Sequence, residues 1–409
     1  MILPMISLWR IVSAAPHRLM FSGGILQLLL TMGWWLSELL GRSGIGIAIP
    51  TAIASTWGHV ILMVYGFPTF FIFGFLMTTY PRWMNGQPIP YHRYVLAFGL
   101  LITAVLLIYI GLLTNKAILI TGIILLLMGW GVAFYALLQV YWQAPARDKH
   151  YESILNFALL AGWLGVLAYF GWLVTEQSFF LDLARHGGLW LYLLPILITV
   201  CHRMIPYFSS CALPHYQVVQ PAWSLPLMGI SVIGHLILEM QGLFAWRLIF
   251  DIPLMLLAFH HSFFGDLKRS LTIRLLAMLH IAFLWLGIAL LLYNVQSLVL
   301  LWSGQFLLGR APLHALTIGF ITSLIMGMSS RVILGHSGRV LVADNLTWFC
   351  FLSVSVIAWL RIAAELPGLD KMNLMINIVT AGSWLIGLLP WFLRYMPMIL
   401  RARVDGRAG

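Results

Sequence analysis

The chain has 409 residues, of which 61% are hydrophobic and 9% charged, and its mean hydropathy is +0.95. A soluble domain carries about 45–50% apolar residues, so soluble, disordered and disulfide-framework classes are excluded and the composition is that of an integral membrane protein. The net charge of +11 would suit nucleic acid, but the basic residues sit between apolar segments and not in a patch, so no nucleic-acid partner is expected and the lipid bilayer is.

A helix needs about 20 apolar residues to cross roughly 30 Å of hydrocarbon. Such windows fall at 19–40, 57–80, 94–113, 117–140, 152–174, 189–210, 222–242, 244–264, 273–294, 311–333, 345–364 and 374–398. They predict an all-α membrane protein of about twelve transmembrane helices, a single polytopic domain over 1–409. A basic stretch with Arg10, His17 and Arg18 opens the first window and no small-residue cleavage site follows it, so it reads as a retained span. His59 lies near the start of the second window, and His202 and Arg203 follow Cys201 in the sixth. The seventh holds His235 and Glu239, and the eighth Arg247, Asp251, His260 and His261. His280 is in the ninth, and the tenth holds His314 and Arg331, with His336 and Arg339 after it. With the N-terminus in the cytoplasm, sixteen of the 23 Lys and Arg residues fall on the cytoplasmic half, Arg407 among them. This positive-inside bias puts both termini in the cytoplasm.

Ionisable side chains within hydrocarbon are costly and mark function by default. The plain reading of a buried histidine is a hydrogen bond to a neighbouring helix. Several in two layers, with charges otherwise excluded, suggest buried metal. His59 and His314 share an outer layer, and His202 and His280 a deeper one. These four are the candidate metal ligands for one or two b-type haems, since C-x-x-C-H, the covalent attachment motif, is absent. Copper could use the same imidazoles. His17, Arg18, Arg203, Arg331, His336 and Arg339, at helix ends, are candidate cofactor-binding residues, because arginine meets a propionate with paired hydrogen bonds; positive-inside anchoring is the plain alternative. Asp251, four residues after Arg247, predicts an ion pair on one helix face, with a proton relay through Asp251 or Glu239 as the alternative. No residue is assigned as catalytic.

SAAPHRLMFSGG, WGHVILMVYGF with GFLMTTYPRW, HRMIPYFSS, AMLHIAFLWLGIALLL, and LHALTIGF with GMSSRVILGHSGR occur in that order. Together they resemble the NnrS family of haem- and copper-containing bacterial inner-membrane proteins associated with denitrification and resistance to nitric oxide. His59, His202, His280, His314 and His336 fall in the matching blocks. The family's second helix commonly carries His-x-His-Glu-Met, whereas this chain keeps His59 and has Ile61 and Leu62 at the other two places.

The resemblance implies a multi-pass protein of the bacterial inner membrane that binds and detoxifies nitric oxide through haem. Reduction to nitrous oxide would make it a haem-dependent oxidoreductase, with quinol or a periplasmic redox protein as electron donor. The alternative is a non-catalytic haem or copper protein that senses or buffers nitric oxide or metal. Helix count and histidine usage are also similar to the catalytic subunit of haem-copper oxidases, without the closely spaced histidine pair on one loop that serves copper there.

Overall fold

The structure, a computed structural model, describes residues 8–406; Arg407 of the charge count lies outside them. Among the described residues the regular structure is helical and contains no strand. Eleven helices of the described residues are long and apolar enough to cross a membrane: α1 Pro16–Arg42, α2 Ser55–Trp83, α3 Tyr91–Leu113, α4 Lys116–Gln143, α5 His150–Thr175, α6 Ser178–Ala212, α8 Phe244–Phe264, α9 Arg274–Ser303, α10 Ala311–His336, α11 Asn345–Ala363 and α12 Asp370–Leu400. The remaining apolar window forms α7, Ser224–Met240, whose 17 residues span about 26 Å at 1.5 Å each. The fold is therefore the expected all-α membrane bundle.

Local chemistry sets the helix ends. The Asn115 side chain accepts a hydrogen bond from the Ile118 amide at the start of α4, and Asp344 accepts one from Thr347 at the start of α11. Each satisfies one of the amides that a helix start leaves without a partner. Proline occupies the first turn of α1, where its missing N–H costs nothing.

Three helices contain wider, π-type turns: α2 over Leu62–Gly66, α6 over Leu183–Leu193 and α10 over Ala315–Thr322. These are the most buried spans, with 83%, 78% and 83% of their apolar windows covered. Each also carries a histidine of the motif blocks. π-turns occur most often at functional sites, and these three helices carry His59, His202 and His314, three of the four candidate ligands, while His280 lies on α9, which has none.

The helices fall into two compact units. Unit 1 comprises Met1–Tyr192, Ser329–Leu341 and Phe392–Gly409; unit 2 comprises Leu193–Met328 and Val342–Trp391. In unit 1, Tyr65, Trp130 and Tyr192 form an aromatic core: Tyr65 stacks on Tyr192 at 6.0 Å, and Trp130 meets Tyr192 edge-on at 4.8 Å. The Tyr65 hydroxyl donates to the Ala184 carbonyl at 2.6 Å. That approach requires glycine on two neighbours, because a Cβ at Gly165 or Gly188 would lie 2.0 or 2.4 Å from the hydroxyl. In unit 2, the Trp285 indole donates to Ser355 at 3.1 Å and anchors α9 to α11.

Candidate functional site

The best-formed ionisable cluster lies in unit 1, where the start of α1, the end of α2, the end of α10 and the segment after α12 supply its side chains. His17, 2% exposed, and His336 face each other with ring centroids 4.2 Å apart and planes tilted by 45°. The Thr78 hydroxyl donates to the Gly74 carbonyl at 2.8 Å, so its longer 3.4 Å contact with His17 Nδ1 takes the imidazole proton. In the neutral ring this leaves the lone pair on Nε2.

Arginines surround the pair. Arg18, Arg82 and Arg403 all lie close enough to act electrostatically on both rings. Buried Arg18 donates to the Ile399 and Arg401 carbonyls at 3.0 and 2.9 Å, tying α1 to the end of α12. Arg403 donates to the His336 carbonyl at 3.3 Å and pairs with Asp405 at 2.6 Å. That hydrogen bond raises the Arg403 pKa above the ordinary guanidinium value. Arg339 lies near Arg18, and its Nη1 is buried without a hydrogen-bond partner among the described residues. A buried donor left unmade is costly, so this nitrogen calls for an acceptor.

A tight turn aims these groups. α10 ends in paired hydrogen bonds, from the Arg339 amide to the Leu334 carbonyl at 3.1 Å and from Gly338 to Gly335 at 3.4 Å. This is the Schellman geometry, with a left-handed residue after the helix. Gly338 has φ of +74°, and a Cβ there would lie 2.8 Å from Asp405 Cγ. The Val404 amide also donates to the Ser337 carbonyl at 3.1 Å, so the C-terminal segment is laced onto the turn that presents His336 and Arg339.

The other predicted residues are distributed as follows. Arg331 lies on the last part of α10, in unit 1 with His336. His59, also in unit 1, stacks on Trp35 at 4.1 Å, and the Arg42 guanidinium sits 5.1 Å over the same indole. His314 belongs to unit 2 and donates from Nδ1 to the Arg310 carbonyl at 2.9 Å, which puts the neutral ring's lone pair on Nε2, the arrangement typical of a ligating imidazole.

His202 and Arg203 are in unit 2 with His280. The Ser224 hydroxyl donates to the Pro221 carbonyl and so accepts from His202 Nε2 at 3.0 Å, while Gln220 donates to Nδ1 at 2.8 Å. His280 Nε2 is shared by the Ser209 and Ser270 hydroxyls, each at 3.0 Å. A metal at either nitrogen would have to displace a serine. Among the described residues, no group of three or more His, Cys, Asp and Glu side chains is arranged to hold a metal ion.

Two features escaped sequence reasoning. Arg403, a basic residue just past the last helix, touches His336, a contact between distant stretches of chain that no spacing reports. The expected Arg247–Asp251 pair is not made. Arg247 lies on a 3-10 turn, Phe244–Arg247, ahead of the α-helical part of α8, and reaches Glu239 at 2.5 Å, while Asp251 is taken by His235 at 2.6 Å.

A bundle of apolar helices with imidazoles and guanidinium groups gathered at buried positions defines a multi-pass α-helical membrane protein. Residues 11–403 match the family described as NnrS protein, and the chain belongs to the NnrS family. It is thereby a membrane protein of the nitric oxide response. No curated protein matches the chain.

Proposed function

We propose that the protein is a haem protein of the bacterial inner membrane that captures nitric oxide and limits nitrosative damage. The observation carrying this reading is the His17–His336 pair beside Arg18, Arg82 and Arg403, where the Asp405 carboxylate is already paired with Arg403. The cluster is rich in positive charge and contains a buried Arg339 nitrogen that needs an acceptor. A b-type haem meets both demands, with propionates for the arginines and iron for an imidazole.

His17, with Nδ1 turned to Thr78, would present Nε2 to the metal, and His336 would stand beside it. Rings 4.2 Å apart are too close to hold a porphyrin between them, so one imidazole would hold the metal and the other would stand beside it. Arg339 would hold a propionate, whereas Arg18 already serves the end of α12 and Arg403 already serves Asp405 and the His336 carbonyl. A bound haem supplies a metal that takes a small diatomic ligand. His314, with its Nδ1 committed to a carbonyl, is the best-oriented candidate for a second metal, haem or copper, and His59 is the candidate in unit 1. The serine-bonded His202 and His280 are placed to support packing.

Nitric oxide is small, uncharged and soluble in hydrocarbon, so it reaches an intramembrane site without a channel. Reduction to nitrous oxide takes one electron and one proton per molecule, and a quinol or periplasmic redox protein is the donor this reading requires. The second reading is a stoichiometric binder. Anaerobic nitric oxide consumption by purified, pre-reduced protein separates them: sustained consumption with a reductant establishes an enzyme, and a single stoichiometric loss establishes a binder or sensor. Absence of both overturns the nitric oxide reading.

A further inference from the structure

In unit 2, α7, α8 and α9 enclose a chain of ionisable side chains that the haem reading does not use. His235 and Asp251 are each 0% exposed, and His235 Nδ1 lies 2.6 Å from Asp251 Oδ1. On the other side of the ring, His235 Nε2 is 3.8 Å from Glu239 Oε2. Glu239 pairs with Arg247, whose second amino group donates to Gln296 at 2.9 Å. Tyr293 on α9 packs edge-on against His235 at 5.1 Å, and the Arg247 guanidinium lies 5.2 Å over its ring. Among the described residues, His235 and Glu239 from α7, Arg247 and Asp251 from α8, and Tyr293 from α9 are titratable and charged groups that face one another here.

Charge counting shows what the chain lacks. Arg247 balances Glu239. Asp251 as a carboxylate beside a neutral His235 would leave one uncompensated negative charge fully buried, which is strongly penalised. One proton on the pair removes it, whether the proton sits on the imidazole or on the carboxyl. Asp251 Oδ2 is buried and has no hydrogen-bond partner among the described residues, whereas an ionised carboxylate calls for donors at both oxygens. A hard metal cation would need a shell of oxygen ligands; the nearest neighbour of Asp251 is an imidazole.

We propose that the His235–Asp251 pair is an intramembrane proton-binding site that exchanges its proton through Glu239. Glu239 is the outlet because its side chain is 14% exposed while the pair is sealed. In the transfer, the Glu239 O–H bond breaks as an N–H bond forms at His235 Nε2. The Nδ1 proton passes to Asp251 Oδ1, and no electron moves. A rotamer change of Glu239 or one bridging water closes the gap to Nε2.

The test is nitrogen NMR on the full chain, labelled with ¹⁵N-histidine and held in lipid nanodiscs in sodium-free buffer near neutral pH. Loss of a signal in His235→Gln assigns the residue, and carbon-labelled aspartate reports Asp251 in the infrared. The expected result is one proton on the pair, seen as an imidazolium or as a protonated aspartic acid. Exchange of the His235 ring proton with D₂O should slow in Glu239→Gln. A neutral His235 with an ionised Asp251 overturns the proposal, as does a pair whose state changes when sodium replaces choline. Exchange unaffected by Glu239→Gln overturns the outlet. If His235→Gln does not fold, Asp251→Asn supplies the assignment, because only the ring beside it changes its signal.

Discussion

Gly338→Ala tests whether the turn after α10 is built to present His336 and Arg339. Two costs follow from the structure. Gly338 has φ of +74°, and a left-handed conformation costs an L-residue roughly 1–2 kcal/mol. The new methyl would also lie 2.8 Å from Asp405 Cγ and 3.0 Å from both its oxygens, well inside the 3.5–4.0 Å optimum for carbon contacts. Asp405 must then move and weaken its pair with Arg403, a partly exposed bridge that adds about 0.2–1 kcal/mol. The sum is about 1–3 kcal/mol, read as a loss of thermal stability in detergent micelles. Gly44→Ala is the control, since Gly44 has φ of +76° and nothing within 4 Å of its Cβ position, so it carries the conformational cost alone. Asp405→Ala in the Gly338→Ala background should recover the steric part. Equal losses for Gly338→Ala and Gly44→Ala, with no recovery on removing Asp405, would refute the reasoning.

Arg247→Met breaks a bridge whose side chains are 2% and 14% exposed, so it should cost about 3–5 kcal/mol, and Arg247→Met with Glu239→Gln should cost clearly less by the same melt. Gly165→Val pushes side-chain carbons into the Tyr65 hydroxyl, 2.0 Å from the Cβ position; overpacking of this kind costs about 1–3 kcal/mol, and the variant should melt earlier unless Tyr65→Phe accompanies it. Reporter fusions after Lys149 and after Arg269 should read cytoplasmic and those near Arg185 or Lys371 periplasmic, because positive charge sets orientation; the reverse would invert the topology.

Hydropathy made the helices legible, because each apolar window had to satisfy its own backbone in hydrocarbon. The short α7 and the π-turns were not legible, since an extra residue in an apolar turn leaves the composition unchanged. His17 and His336 could each be flagged for adjacent arginines, but their ring contact joins distant stretches of chain and no periodicity reports it. A basic residue just past a last helix commonly serves as an anchor, so nothing local marks Arg403 as a neighbour of His336. Arg247 and Asp251 misled for a local reason: the i, i+4 rule assumes α-helical backbone from the first residue, and Arg247 is on a 3-10 turn. His202 and His280 stand out by their depth, and the serine hydroxyls that contact them come from other segments, which no local spacing reports.

The most direct test of the central claim is the acid-acetone-extractable haem and visible spectrum of protein purified from haem-replete cells, compared with His17→Gln, His336→Gln and Arg339→Gln. The expected result is b-type haem in the wild-type protein, lost or spectrally altered in one or both histidine variants and reduced in occupancy by Arg339→Gln. A colourless wild-type protein, or one whose haem content and spectrum survive both histidine substitutions, would contradict it.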